Sequence, residues 1–122
     1  MLQDCGASIV LLGHSERRAD HGETSQLVAA KVGQAVNTSL SVMVCVGETL
    51  TEREAGAALT TVTNQLVKSL PNSLSTTALT IAYEPVWAIG TGKVATGSEI
   101  AEMHLGIRRW LDSAGLNQTK IL

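Results

Sequence analysis

Four short runs of hydrophobic residues divide this chain, at a spacing of about 30 to 40 residues. They occupy residues 8–13, 40–47, 79–83 and 120–122. A short, wholly apolar run is typical of a strand in a parallel sheet, because helices usually cover both faces of such a sheet. The pattern therefore predicts four strands.

Amphipathic helical patterns lie between these runs. Hydrophobic residues recur there at every third or fourth position, with polar residues opposite them. The three stripes are Val28, Val32, Ala35 and Val36, then Leu59, Val62, Leu66 and Leu70, and finally Ile100, Met103, Ile107, Trp110 and Leu111. Capping boxes at residues 49–52 and 96–99 predict helix starts, and Pro71 and Gly115 predict helix ends.

The alternation of strands and helices predicts an α/β fold with a parallel sheet, in one domain over residues 1–122. Four strands do not close a (β/α)8 barrel, which needs about 250 residues. The pattern alone leaves two possibilities open, a small open sheet and a part of a larger one.

The composition of the chain argues against several classes of protein. Hydrophobic residues make up 44% and charged residues 16% of the chain, with a formal net charge of −2. This composition disfavours a disordered segment and offers no basic surface for nucleic acid. We expect no membrane helix and no secretory signal. Cys5 and Cys45 form no disulfide framework, so we expect reduced thiols and a cytoplasmic location.

Polar residues are concentrated directly after the predicted strands, where the sites of parallel α/β folds form. We therefore expect His14 and Glu84 to share one mouth. The carboxylate could take a proton from a carbon beside a carbonyl, and a neutral imidazole could stabilise the resulting enediolate. A hydrogen-bonded structural histidine and a solvated carboxylate would explain the same residues, and for His14 composition alone favours this simpler interpretation.

The segment after Glu84 combines apolar residues with glycines. Val86, Trp87 and Ile89 lie where Pro85 stops the strand, which predicts exposed apolar residues in a lid over a ligand. A buried connector explains the segment equally well. Backbone N–H groups of residues 90–92 could bind a phosphate.

Other motifs are weaker. Residues 90–95 match a relaxed dinucleotide fingerprint, but its glycines should follow the strand directly. Gly92 and Lys93 resemble the end of a P-loop, but Val94 stands where that loop needs Ser or Thr. The histidines and cysteines lack metal-ligand spacing, and we expect Cys45 to pack as a small hydrophobe.

Three segments together resemble the triosephosphate isomerase family. They are residues 13–18, 45–49 and 82–93, which read GHSERR, CVGET and AYEPVWAIGTGK. Their order and spacing match the family, and the third segment is highly specific. The resemblance covers almost the whole chain but only about half of the family's length. It implies an incomplete TIM barrel with roughly strands four to seven.

The resemblance also implies site residues. His14 would be the electrophilic histidine and Glu84 the catalytic base, as in the family's own well-known mechanism. Ser15 and Glu16 would line or support the pocket, and Gly90 would bind the substrate phosphate through its backbone N–H. The hinged lid would consist of Pro85, Val86, Trp87, Ala88, Ile89, Gly90, Thr91, Gly92, Lys93, Val94 and Ala95.

The implied reaction interconverts dihydroxyacetone phosphate and glyceraldehyde 3-phosphate in glycolysis and gluconeogenesis, without metal or cofactor. The family's catalytic lysine and later phosphate loops have no counterpart in these residues, so we expect the chain alone to be inactive or nearly so. Uncovered apolar residues on the lumen side and open sheet edges predict a homo-oligomer, or association with the missing half-barrel.

Two other functions stay open at this point. The chain could be a half-barrel assembly module without catalysis, or another α/β protein that binds a sugar phosphate or a dinucleotide. Binding of a phosphate-bearing enediolate mimic, without binding of NAD, would favour the isomerase over the second of these.

Overall fold

A computed structural model describes residues 9–20, 22–36, 40–70, 79–89, 92, 94–116 and 119–122. Its strands are β1 (Ile9–Leu12), β2 (Ser41–Val46), β3 (Leu79–Tyr83) and β4 (Lys120–Ile121). Its helices are α1 (Ser15–Asp20), α2 (Ser25–Val36), α3 (Leu50–Glu54), α4 (Ala58–Ser69) and α5 (Gly97–Ser113), and a 3₁₀ turn spans Val86–Ala88. The four strands confirm the predicted order, and each lies within one residue of its predicted bounds.

The sheet is open and all of its strands are parallel. Its order is β1-β2-β3-β4, so strands that are neighbours in sequence are neighbours in space. The register pairs Val10 with Val42, and Val44 with Ile81, which in turn pairs with Ile121. This architecture confirms the predicted α/β fold of parallel β/α units and is that of a partial TIM barrel.

The core lies between one face of the sheet and the helices, and it is aliphatic. Its most deeply buried members are Val28, Val32, Val42, Val44, Val46, Val62, Leu66, Ile81, Met103, Ile107 and Leu111. The helical stripes therefore face the sheet as predicted. Leu59 and Ile100 are exceptions, because they lie in the first turns of α4 and α5 and are exposed. The side chain of Val36 lies outside the described residues.

The opposite face of the sheet is open at β1. Successive residues of a strand point to opposite faces, and Val10 and Leu12 pack with the core. Ile9 and Leu11 on the other face are 58% and 49% exposed. Cys45 lies on that face in β2, and it is buried, as expected for a small hydrophobe.

Both predicted capping boxes are present. Thr49 and Glu52 begin α3, and Thr96 and Glu99 begin α5. The first box opens a separate five-residue helix instead of α4, because the chain turns at Gly56 with a positive φ before α4 starts. In the described ranges, no helix combines the length and apolar character needed to cross a membrane.

Candidate active site

His14 and Glu84 meet at the carboxyl ends of β1 and β3. The Nε2 atom of His14 lies 3.2 Å from Oε2 of Glu84, and both side chains are partly exposed. Strand β2 lies between β1 and β3, so the contact is made across the end of the middle strand. The structure therefore brings together the two residues that the sequence placed at one mouth.

The hydrogen bonds of His14 define its tautomer. The backbone N–H of Glu16, in the first turn of α1, donates to Nδ1 of His14 at 3.2 Å. Because Nδ1 accepts a hydrogen bond, the proton of the neutral ring is on Nε2. That N–H faces the Glu84 carboxylate, so the imidazole is oriented as a hydrogen-bond donor towards Glu84.

The other oxygen of Glu84 is held by backbone. The N–H of Ser15 donates to Oε1 at 2.8 Å, and the N–H of Glu84 itself donates to the carbonyl of Val46 at 2.9 Å. Ser15 and Glu16 thus contact the pair through their peptide groups, and the Glu16 side chain is exposed. Their predicted role in lining or supporting a pocket stays a prediction.

A pair of charged side chains holds Gly13, immediately before His14. Glu23 accepts from the Gly13 N–H at 3.1 Å, and Nε of Arg18 donates to the Gly13 carbonyl at 2.7 Å. Gly13 has a φ of +73°, which favours glycine. Sequence reasoning missed Glu23, because nothing in its local pattern distinguishes it from a solvated loop carboxylate.

Glu23 is buried and ionised. Burial raises the pKa of this carboxyl, but the hydrogen bond and charge of Lys31, followed by the Gly13 N–H, outweigh burial and bring the pKa below its usual range. Arg17 also pairs with it, at 3.4 Å. The negative charge is therefore retained at neutral pH, and it keeps the peptide before His14 in place.

A second buried carboxylate, Glu48, follows β2. It is fully buried and accepts hydrogen bonds from Nε of Arg53 at 3.1 Å, from the Tyr83 hydroxyl at 2.7 Å and from Nε1 of Trp87 at 2.9 Å. The Arg53 guanidinium also lies 5.3 Å from the centre of a Trp87 ring. Burial, then the bond to Glu48, raises the pKa of Tyr83. This cluster joins β2, α3, β3 and the 3₁₀ turn.

Sequence reasoning did not assign Glu48 a role. The available signal was its place, because it follows a strand end just as His14 and Glu84 do.

Of the two interpretations left open for the apolar residues after Pro85, Trp87 fits the buried connector and not the exposed segment. That residue is only 7% exposed, because its indole N–H is bonded to Glu48 and its ring packs against Arg53. Val86 is half-buried, whereas Ile89 and Val94 are exposed. The segment thus starts as a buried connector, and of its described residues beyond the first turn Ile89, Gly92 and Val94 are exposed.

The predicted phosphate contact lies outside what the structure describes. Gly90, Thr91 and Lys93 are not among the described residues. Of the glycines in this segment, Gly92 is described, and it is exposed with a φ of +75°. The lid and the role of Gly90 stay predictions.

A family model and curated relatives match this chain over nearly all of its length. The family model described as triosephosphate isomerase matches residues 1–122. The triosephosphate isomerase of Hyphomonas neptunium is 55% identical over 111 residues, which are 91% of this chain and 45% of that protein. The triosephosphate isomerase of Caulobacter vibrioides is 54% identical over 113 residues, or 93% and 45% of the two chains. The chain therefore spans about half the length of the curated relatives it matches.

Proposed function

We propose a function from one premise: this chain belongs to the triosephosphate isomerase family. The proposed activity is the interconversion of dihydroxyacetone phosphate and glyceraldehyde 3-phosphate, with this chain supplying the proton-transfer centre. The single observation that supports it is the 3.2 Å contact between Nε2 of His14 and Oε2 of Glu84. A base and a hydrogen-bond donor at one edge of the sheet suit proton abstraction next to a carbonyl.

In the proposed reaction, the Glu84 carboxylate removes a proton from the carbon beside the substrate carbonyl. The electron pair of that C–H bond forms the carbon–carbon double bond of an enediolate, and negative charge develops on the former carbonyl oxygen. The Nε2–H of His14 donates a hydrogen bond to this oxygen. Glu84 then returns the proton to the former carbonyl carbon, while the hydroxyl proton on the carbon that first lost its proton passes through Nε2 of His14 to the former carbonyl oxygen. A new carbonyl forms at that carbon, so atoms and electrons balance without a co-reactant.

The same contact also indicates which hydrogen bond a bound substrate would have to replace. Without substrate, the Nε2–H of His14 faces Oε2 of Glu84, so donor and base satisfy each other. A bound carbonyl would take over the donor and leave Oε2 free to accept a proton. Because the Ser15 N–H holds the other oxygen, Oε1, the carboxylate stays oriented while this exchange takes place.

Exposed Ile89 and Val94, beyond the buried Trp87, support a lid that is fixed at its first turn and closes over the triose phosphate, with the Gly90 N–H on its phosphate. We also propose a homo-oligomer in the cytoplasm. The unpaired, buried thiol of Cys45 is in keeping with a reducing compartment.

The test is a chimera in which residues 1–122 replace the matching segment of the Hyphomonas neptunium enzyme. We expect the chimera to isomerise triose phosphates, and we expect Glu84→Gln to lower kcat by about 10²–10⁴-fold, since an amide cannot act as the base. His104 is a half-buried histidine of α5, and His104→Gln is the matched control, which should leave kcat unchanged. Full activity of the Glu84→Gln chimera would refute the proposed base.

A non-catalytic assembly module is the second candidate, and the exposure of Ile9 and Leu11 favours it. The 122-residue protein, which we expect to be inactive alone, distinguishes the two functions. Recovery of isomerase activity on mixing it with a chain that supplies the other barrel strands supports the enzyme. Assembly without any activity supports the module.

A further inference from the structure

Gln65 of α4 holds both polar groups of one glycine. Its Oε1 accepts from the Gly47 N–H at 2.9 Å, and its Nε2 donates to the Gly47 carbonyl at 3.0 Å. Gly47 is buried, so neither peptide group can easily turn to water instead. One side-chain amide therefore fixes the orientation of the backbone directly after β2.

Gly47 in turn touches the backbone of Glu84. A β-carbon built on Gly47 would lie 1.8 Å from the carbonyl oxygen of Glu84 and 3.3 Å from Cγ2 of Val86. The preceding residue, Val46, accepts the Glu84 N–H at 2.9 Å. The peptide groups on both sides of the Glu84 α-carbon thus lie directly against the strand end that Gln65 holds.

We propose that Gln65 is a positioning residue for Glu84 and acts through Gly47. The catalytic meaning of this inference rests on the proposed function, whereas the geometric part does not. Gln65 lies on the same helix as Val62 and Leu66, which are fully buried in the core, so its amide is presented from a rigid element. The length and chemistry of glutamine are both needed, because the amide must donate to one group of Gly47 and accept from the other.

Two substitutions separate these requirements. Gln65→Met preserves the length of the side chain but removes both hydrogen bonds, and Gln65→Glu keeps the acceptor for the Gly47 N–H but places a carboxylate oxygen against the Gly47 carbonyl. We expect both variants to loosen the contact between His14 and Glu84. Asn64→Met, at the neighbouring exposed position, is the matched control.

The first readout does not depend on isomerase activity. In NMR spectra of the 122-residue protein, the Nε2 nitrogen resonance of His14, observed through the carbon-bound protons of its ring, should report its hydrogen bond to Glu84. We expect Gln65→Met to shift or broaden this resonance and Asn64→Met to leave it in place. An unchanged resonance in Gln65→Met would overturn the geometric inference, whether or not the chain belongs to an active isomerase.

The second readout is kinetic and uses the chimera. Gln65→Met should lower kcat by about 10-fold to 100-fold with little change in KM, since a misplacement of about 1 Å can cost 10²-fold. Gln65→Glu should lower kcat at least as far, because its carboxylate oxygen repels the Gly47 carbonyl. Val62→Ala destabilises the same helix without touching Gly47. An equal loss of kcat in Val62→Ala would show that Gln65 acts only through the stability of the helix. This result would also overturn the proposal.

Discussion

Replacing Gly47 with alanine tests the contact on which the candidate site is built. The alanine β-carbon would lie 1.8 Å from the Glu84 carbonyl oxygen, and separations below 3.0 Å essentially never occur. The two backbones must therefore move apart by at least about 1.2 Å. Neither can do so by a rotamer change, because the clashing oxygen belongs to the main chain.

The expected cost has two parts. Overpacking of this kind destabilises a protein by about 1–3 kcal/mol. A displacement of this size also disrupts the 2.9 Å bond from the Glu84 N–H to Val46 and moves the carboxylate away from His14. Misplacement of a reacting group by about 1 Å can cost 10²-fold in rate, or about 2.7 kcal/mol of transition-state stabilisation.

The assay measures kcat, KM and the free energy of unfolding in the chimera for Gly47→Ala and for Gly33→Ala. Gly33 lies inside α2, where an added β-carbon would meet nothing within 4 Å. Gly33→Ala should therefore be stabilising, by about 0.4–1 kcal/mol, and should preserve kcat. A Gly47→Ala chimera that retains both stability and kcat would refute the argument that this close approach places Glu84.

Two further predictions concern neighbouring buried groups. Trp87→Phe removes the 2.9 Å bond to buried Glu48 and should lower the free energy of unfolding by about 1.5–3 kcal/mol in urea titrations. Trp110 is half-buried on α5, and Trp110→Phe should lower this free energy less. Equal losses in the two variants would contradict a special role for the bond to Glu48. Burial, then the Glu84 charge, raises the pKa of the Cys45 thiol from 9.0 to about 12. As the pH rises, the unfolded chain therefore loses this proton before the folded chain does. The free energy of unfolding should fall above about pH 9, by up to ~1.4 kcal/mol per pH unit. Cys45→Ala should flatten this dependence, and an identical pH profile in the two proteins would show that the thiol does not contribute.

The hydrophobic pattern located β1, β2 and β3 well because each is a mostly apolar run that is followed directly by glycine or glutamate. The hydrophobic pattern did not predict α1 and α3. These helices have six and five residues and are too short to show a helical period. The same pattern left Trp87 ambiguous. A tryptophan after a proline suits either a lid or a core, and its burial is decided by Glu48, 39 residues away in sequence.

The residues that support the site were harder to predict from the sequence than His14 and Glu84 themselves. His14 and Glu84 are marked by their places after strands, and the parallel fold then brings those places to one edge of the sheet. Gln65 and Glu23 lie in a helix and in a loop, among other polar residues that face solvent. Their contacts to Gly47 and Gly13 depend on tertiary packing, which no local pattern encodes.

The middle strand explains why both glycines are held so firmly. His14 follows β1 and Glu84 follows β3, so their side chains must meet across the end of β2. A side chain on Gly47 would occupy the space of the Glu84 carbonyl, and the absence of one lets β3 come close enough for the 3.2 Å contact. A glycine loses more conformational freedom on folding than any other residue, so its geometry must be imposed from outside. Gln65 imposes it at Gly47, whereas Glu23 and Arg18 impose it at Gly13.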